Sequence, residues 1–299
     1  MADTTSRRSR WLVSAMEAAK SERLDQAAIL RHLPGKCREK SLSASIEVFP
    51  ELASTNAYLL QRAAEGHAGN GAACLAEQQT AGRGRRGRSW VSPAGCGIYL
   101  SLYWEFDLPA HALSGLSLVA AVVAAEALQT AGVAVVQLKW PNDLVVNDQK
   151  MGGILVELAQ KSKNMQGVVV GLGVNQCEPE SVAESTEWAA LEQPWTGWDA
   201  WQDPAQPISR NILAAQFIGG LREACADFAL NGFAAWRSRW EGFHRDQSKS
   251  VRVDLEHGTI EGVAMGLDPL GGLRVATDGQ ERVVYSGDVS RLRAAELVQ

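Results

Sequence analysis

The chain has no C-x-x-C pair. Its five cysteines, Cys37, Cys74, Cys96, Cys177 and Cys225, are odd in number and scattered. A disulfide framework is therefore unexpected, and reduced thiols in a cytoplasm are the reading. The five histidines form no H-E-x-x-H or similar spacing, so no metal site is legible from them. Long apolar runs are missing as well. The richest, "LSLVAAVVAAEAL" (116–128), is short and carries Glu126, which predicts a core helix and not a membrane span. The opening "MADTTSRRSRWLVSAMEAAK" has arginines without an apolar run behind them, so no signal peptide is expected. A surplus of positive charge is absent too: the formal net charge is −5, which argues against a chain built to coat nucleic acid. No internal repeat stands out.

What is present is 299 residues, 46% of them hydrophobic, enough for one large domain with a smaller companion. Three regions are expected: an N-terminal extension (1–45), partly helical; a main domain (46–247); and a small C-terminal unit (248–299). In the main domain "SIEVF" alternates like a strand. "STNAYLLQRAAEG" follows, with Ser54 or Thr55 placed to cap a helix and Gly66 to end it. "AACLAEQ" and "GIYLSLYWEF" (97–106) read as strands, and an apolar helix covers roughly 111–131. Between 135 and 175, "VVQLKW", "DLVVN", "MGGILVELAQ" and "GVVVGLGVN" are joined by short turns. Such joins suit an antiparallel meander. The order predicts an α+β fold, a mixed but largely antiparallel sheet with helices on one face. Residues 208–240 show helical spacing interrupted near Asn231-Gly232. The last fifty residues offer about five short strands with turns at His257-Gly258, Pro269 to Gly272, Asp278-Gly279 and Ser286-Gly287, the pattern of a small SH3-like barrel.

Segment 176–207 differs. It carries seven acidic residues, no Lys or Arg, and four Trp. It reads as a solvated insertion anchored by one or two of those tryptophans; a nucleotide cap or a docking surface is the alternative.

The residues that carry chemistry begin with "AGRGRRGRSW" (81–90). Three glycines and four arginines share residues 82–88. Glycines let a backbone turn tightly and approach a ligand; arginines offer fixed, charged donors for phosphate and carboxylate. The spacing lacks the G-K-[ST] of a Walker loop, and the G-x-G-x-x-G at Gly82, Gly84 and Gly87 opens no helix. An anion site is indicated, a flexible basic loop being the plainer alternative. "KWPND" puts Lys139 at a strand end and Asn142-Asp143 at a turn, either beside a pocket or at an ordinary hairpin corner. In "KMGGILVE", Lys150 precedes Gly152-Gly153, where something can lie against the backbone or a β-bulge can form. "GLGVN" has the same small-residue character, with Asn175 at its end.

Taken in order, "STNAYLL", "EQQTAGRGRRGRSW", "KWPNDL", "KMGGILVE" and "GLGVN" resemble the bacterial biotin protein ligases, over roughly 46–175 and 208–297. The resemblance implies a biotin/lipoate-ligase-like catalytic domain with an SH3-like C-terminal domain. It also implies ATP and biotin as substrates, Mg²⁺, and a biotin carboxyl carrier domain as protein partner. Biotin's carboxylate attacks the α-phosphorus of ATP to give biotinyl-adenylate, and a carrier lysine then attacks that anhydride. Neither step needs an enzyme nucleophile; charge stabilisation, alignment and exclusion of water suffice.

By resemblance, Ser54, Thr55, Asn56 and Gln79 line the biotin pocket. Gly82, Arg83, Gly84, Arg85 and Arg86 belong to a lid that grips biotin or adenylate and is disordered until ligand arrives. Lys150 lies against the reacting carboxylate and α-phosphate. Trp90, Lys139, Asn142, Asp143, Gly152, Gly153 and Asn175 complete the site. Asp143 is a candidate to hold Mg²⁺ or to accept the target lysine's proton, and Trp188 a candidate shelf for adenine. Family members that are also repressors carry an N-terminal winged helix-turn-helix. No such pattern shows in 1–45, so a ligase without operator binding is expected, as monomer or homodimer. The rival readings are a lipoate-type ligase, a nucleic-acid-binding protein using the arginine loop, and a regulator that binds biotin without ligating it.

Overall fold

The computed structural model describes residues 22–35, 46–160, 165–177 and 193–292. A seven-stranded sheet forms the body, in the order β1-β2-β3-β7-β6-β5-β4. The strands are β1 (Ile46–Leu52), β2 (Ala73–Gln79), β3 (Gly97–Phe106), β4 (Gln137–Lys139), β5 (Asp143–Val146), β6 (Gln149–Gln160) and β7 (Gln166–Asn175). β1 and β2 are parallel, joined through a helix. The remaining neighbours are antiparallel, as the short joins require.

Side-chain alternation divides the sheet into two faces. Ile98, Leu100 and Leu102 of β3, with Val168, Val170, Leu172 and Val174 of β7, enter the main core. Against them pack α3 (Leu116–Thr130) and α4 (Arg210–Asn231), and the short α5 (Arg237–Gly242) packs on α3. α3 is apolar nearly all round, and most of its residues are buried. Length and composition alone would let Ala110–Thr130 cross a membrane. Here its apolar surface is taken up by α4 and the sheet, as expected of a core helix. α4 is capped by the Ser209 hydroxyl and ends at Gly232, whose φ is 63°.

α2 (Thr55–Ala64) does not join these helices. It is capped by Ser54 and lies on the opposite face, where Leu59 and Ala63 meet Cys74, Tyr103 and Val169. This refines the expectation of helices on one face: α2 covers one end of the second face and leaves the rest open as the floor of a pocket.

Residues 22–35 are built into the main domain. α1 (Gln26–His32) packs on α4 and buries Ile29. Glu22 accepts hydrogen bonds from Ser209 Oγ, Arg210 N and Asn211 Nδ2. The Arg210 guanidinium, 1% exposed, donates to the carbonyls of Glu22 and Gly97 and pairs with Glu77 at 2.8 Å. A buried cation is tolerated only when surrounded in this way.

The C-terminal unit is a five-stranded antiparallel sheet in the order β11-β10-β9-β8-β12. Its strands are β8 (Ser250–Leu255), β9 (Gly258–Leu267), β10 (Leu273–Thr277), β11 (Gln280–Val284) and β12 (Asp288–Arg291). Polar contacts seat it against the main domain. Trp140 Nε1 donates to the Gly271 carbonyl at 3.0 Å. Buried Asp246 accepts from Arg245 and from Arg291 of β12, while Asp148 at the β5–β6 turn pairs with both arginines.

Candidate active site

A cavity of about 460 Å³ opens on the second face of the main sheet. It gathers residues from α2, the Gly-Arg loop, the β4–β5 corner, β6, β7 and β12. Arg83, Arg85, Arg88, Lys139 and Lys150 line it against two carboxylates, Asp143 and Asp288. Five cations against two anions make this a site for a negatively charged ligand.

The floor is made by absence. Gly171 and Gly173 of β7 point at the cavity, and their neighbours fill the space a side chain would take. A methyl on Gly173 would sit 2.6 Å from Trp90 Nε1; one on Gly171 would meet the Asn56 carboxamide. Asn56, 4% exposed, is held from three sides. Its Nδ2 donates to Glu157 Oε2 at 2.7 Å and to the Leu155 carbonyl at 3.4 Å, and its Oδ1 lies 2.5 Å from Ser101 Oγ. Thr55 N and Oγ1 donate to Gln79 Oε1, and Gln79 Nε2 donates to Ser92 Oγ. The first turn of α2 is thereby fixed to β2, β3 and β6 through polar groups satisfied inside the protein.

Lys150 reaches the cavity because of a β-bulge. Leu144 pairs with Gly152 but Val145 with Lys150, so Met151 is the extra residue. In an unbroken strand Lys150 would share a face with Gly152. The bulge turns Met151 and Gly152 to the core and puts Lys150 beside Gly153. The bulge reading of "KMGG" therefore holds, and of the two glycines Gly153 borders the cavity. Lys150 Nζ lies 2.7 Å from Asp143 Oδ1 and 5.5 Å from the Trp90 ring centre. Lys139 faces Asp143 across the β4–β5 hairpin, so the "KWPND" corner is a hairpin and a pocket wall at once. Burial pulls the Lys139 ammonium below its ordinary value, against the opposing pull of Asp143.

The Gly-Arg loop was expected to be disordered without ligand. In this structure it takes the shape of a small hairpin. Trp90 N donates to Gly82 O, Gly84 N to Arg88 O, and Arg83 bridges Ser89. Gly87, at φ 72°, makes the turn that a side chain would strain. In that shape most of the arginine charge finds anchors. Arg86 and Arg88 pair with Asp288 at 3.1 and 2.8 Å, and Arg83 lies 3.5 Å from Glu157. Burial would raise the Asp288 carboxyl, but its bond to Arg88 and the charges of Arg88, Arg86 and Arg85 hold it below the usual value. Arg85 differs: its hydrogen bond goes to the neutral Asn142 Oδ1 at 3.2 Å, and burial lowers its pKa. Of the four, Arg85 is the one whose side-chain hydrogen bond goes to a neutral group, which suits it to turn to a ligand.

The sequence matches the Biotin/lipoate A/B protein ligase family over residues 48–175 and the Biotin protein ligase C terminal domain over 249–292. It is 44% identical over 243 residues to a biotin–[acetyl-CoA-carboxylase] ligase of Paracoccus denitrificans, spanning 79% of this chain and 96% of that one. The chain belongs to the biotin protein ligases. It is also 40% identical over 252 residues to the bifunctional ligase/repressor BirA of Escherichia coli, 84% of this chain and 75% of that protein. The structure superposes on the biotin protein ligase from Aquifex aeolicus in complex with biotin and ATP, with a TM-score of 0.66, 26% identity, 84% of this chain and 99% of that one.

For a biotin protein ligase the residues singled out from sequence lie close together. Ser54, Thr55, Asn56, Gln79, Arg83, Gly84, Arg85, Trp90, Lys139, Asn142, Asp143, Lys150, Gly153 and Asn175 border the cavity. Gly82 lies behind it, against the Trp90 carbonyl and Ser92. Gly152 faces the core, and Arg86 faces Asp288. Trp188 lies outside the described residues. Three contributors escaped sequence reasoning. Ser101 and Glu157 both touch Asn56, and Asp288 comes from the C-terminal sheet. A fourth is the end of the acidic segment. It is anchored by buried Trp195 and Trp198, and it does more than anchor: Lys150 N donates to Pro194 O, Thr196 N donates to Lys150 O, and Trp195 lines the cavity.

Proposed function

We propose that this biotin protein ligase joins biotin to a lysine of a biotin carboxyl carrier domain through biotinyl-5′-adenylate. The observation that carries the reading is the convergence of Lys150, Arg85 and Trp90 over a floor of β7 glycines in one cationic cavity. The Aquifex relative, solved with biotin and ATP, supports it.

In the first step a biotin carboxylate oxygen bonds to the α-phosphorus, and the bond to pyrophosphate breaks with its electron pair. Negative charge grows on the phosphoryl oxygens. Lys150 donates to the carboxylate and α-phosphate oxygens, bringing them together and sharing that charge. Asp143, 2.7 Å away, aims the ammonium. Arg85 closes over the product, and the hairpin above the cavity excludes water that would hydrolyse the anhydride. In the second step the carrier amine, having lost its proton, attacks the carbonyl carbon and AMP leaves.

Among the described residues no three His, Cys, Asp or Glu side chains converge. Mg²⁺ would be held mainly by its nucleotide, with Asp143 the carboxylate nearest Lys150 that could join it. There it would offset phosphate charge. Asp143's short pairing to Lys150 favours a role in holding that lysine.

The test is transfer itself. The protein, ATP, Mg²⁺ and biotin are incubated with a carrier domain, and the carrier's mass is measured. One biotinyl group should appear, and none on a carrier whose target lysine is replaced by arginine. An unmodified carrier alongside accumulated adenylate would keep the first half-reaction and refute the partner.

A further inference from the structure

The cavity has two ends along β7. At one, Gly173 abuts Trp90, and Lys150 Nζ lies 5.5 Å from that ring. This is the end where a ligand carboxylate meets its cation. Two residues along the strand, about 7 Å away, Gly171 abuts Asn56. With Lys150 on the carboxylate, the ring of the acid reaches toward this far end, against Thr55 and Asn56.

Behind those two residues stands Ser101 of β3, 0% exposed. Its Oγ lies 2.8 Å from Thr55 Oγ1 and 2.5 Å from Asn56 Oδ1. The available hydrogens fix the directions. Asn56 Nδ2 spends both of its hydrogens on Glu157 Oε2 and the Leu155 carbonyl. Two oxygens 2.5 Å apart need a hydrogen between them, and of this pair only Ser101 carries one. The Ser101 hydrogen is thus committed to Asn56. The Thr55 hydrogen has two takers, Ser101 Oγ at 2.8 Å and Gln79 Oε1 at 3.1 Å. Both belong to the protein. Toward the cavity Thr55 Oγ1 therefore shows lone pairs and no hydrogen.

We infer that Ser101 is a positioning residue that sets the specificity of the site: by committing its hydrogen to Asn56 and standing behind Thr55, it leaves the Thr55 hydroxyl able only to accept, and the far end of the cavity selects an acid whose ring carries an N–H group. The inference rests on the ligase reading above and narrows it. Biotin's cyclic urea offers an N–H on each side of its carbonyl. The dithiolane ring of lipoate offers none, and would leave the Thr55 oxygen buried and unmet. Ser101 reaches no reacting atom; its effect travels through Thr55.

Ser101→Ala removes the nearer taker, and the Thr55 hydroxyl is then free to rotate. KM for biotin should rise by about five- to ten-fold, with kcat changed by no more than about two-fold, since the Lys150 end is untouched. Desthiobiotin keeps the cyclic urea and lacks the sulfur ring, so its KM should rise by the same factor. The unmet Asn56 Oδ1 should separately lower the melting temperature by about 3–10 °C.

The deciding experiment is a double-mutant cycle read by pyrophosphate release, with melting temperatures measured alongside. Thr55→Val removes the hydroxyl and keeps the shape. If Ser101 acts through that hydroxyl, Ser101→Ala in the Thr55→Val background adds less than about two-fold to KM while still lowering the melting temperature. Ser101→Cys, which fills the same space with only a weak donor, carries the test if Ser101→Ala folds poorly. An equal rise in KM in both backgrounds, an unchanged biotin KM in the single variant, or a smaller loss for desthiobiotin than for biotin overturns the assignment. A wild-type protein that releases no pyrophosphate with biotin would instead overturn the ligase reading, and this inference with it.

Discussion

Gly171→Ala adds one methyl group where the structure leaves no room. The new carbon would lie far inside contact distance of Asn56 Oδ1 and within about 3 Å of its Cγ and Nδ2. β7 cannot yield, because it is hydrogen-bonded on one side to β3 and on the other to β6. Asn56 must therefore leave its place and abandon Ser101, Glu157 and the Leu155 carbonyl. Overpacking of this kind costs about 1–3 kcal/mol, and a disrupted buried amide about 1–3 kcal/mol more. The melting temperature should fall by roughly 5–15 °C. Biotin KM should rise by about ten-fold or more, since Asn56 lines the cavity. Gly153→Ala is the control. Its methyl would find neighbours at 3.5–3.6 Å, ordinary contact, so stability should shift by less than about 1 kcal/mol while the methyl intrudes on ligand space. Differential scanning fluorimetry and steady-state kinetics on both variants read the contrast. A Gly171→Ala protein with wild-type stability and KM would refute the packing argument.

Three further outcomes are expected. Arg85→Ala should release biotinyl-adenylate about ten-fold faster or more, with the melting temperature unchanged, in a single-turnover chase; unchanged retention would remove Arg85 from the lid role. Lys150→Ala should slow adenylation by about 10²–10³-fold while shifting the melting temperature by only about 3 °C, and full activity would remove it from the site. His244 stacks on Trp240 at 4.7 Å, and its Nδ1 is 3.0 Å from Gln247 Oε1. Burial depresses its pKa below the ordinary 6.5. The unfolded chain then binds more protons between 6.5 and the folded value, so stability should fall as pH drops through that window. His244→Gln should flatten that part of the urea-denaturation profile; an identical slope would show that another group titrates there.

Local signals in the sequence carry far into this fold. The β-prone run "GIYLSLYWEF" is β3 residue for residue, and Ser54 caps α2 as its side chain allows. Two- to five-residue joins force neighbouring strands to run antiparallel, which makes the β4–β7 meander legible. What local signals lack is which face an element takes. α2 has the same amphipathic character wherever it packs, so its place on the pocket side follows from the sheet. The bulge at Met151 is foreshadowed by the Gly pair, but its direction, which aims Lys150, depends on β5. Partners distant in sequence are the hardest to foresee. Arg83 meets Glu157 across 74 positions and Arg86 meets Asp288 across 202. For that reason the loop's ion pairs are not legible in the sequence.

The central claim is that this cavity activates biotin as its adenylate. Pyrophosphate release from ATP and Mg²⁺, measured with biotin, with lipoate and with neither, tests it most directly. Release that depends on biotin, and not on lipoate, is the predicted result. Release with lipoate alone, or with neither acid, would contradict it.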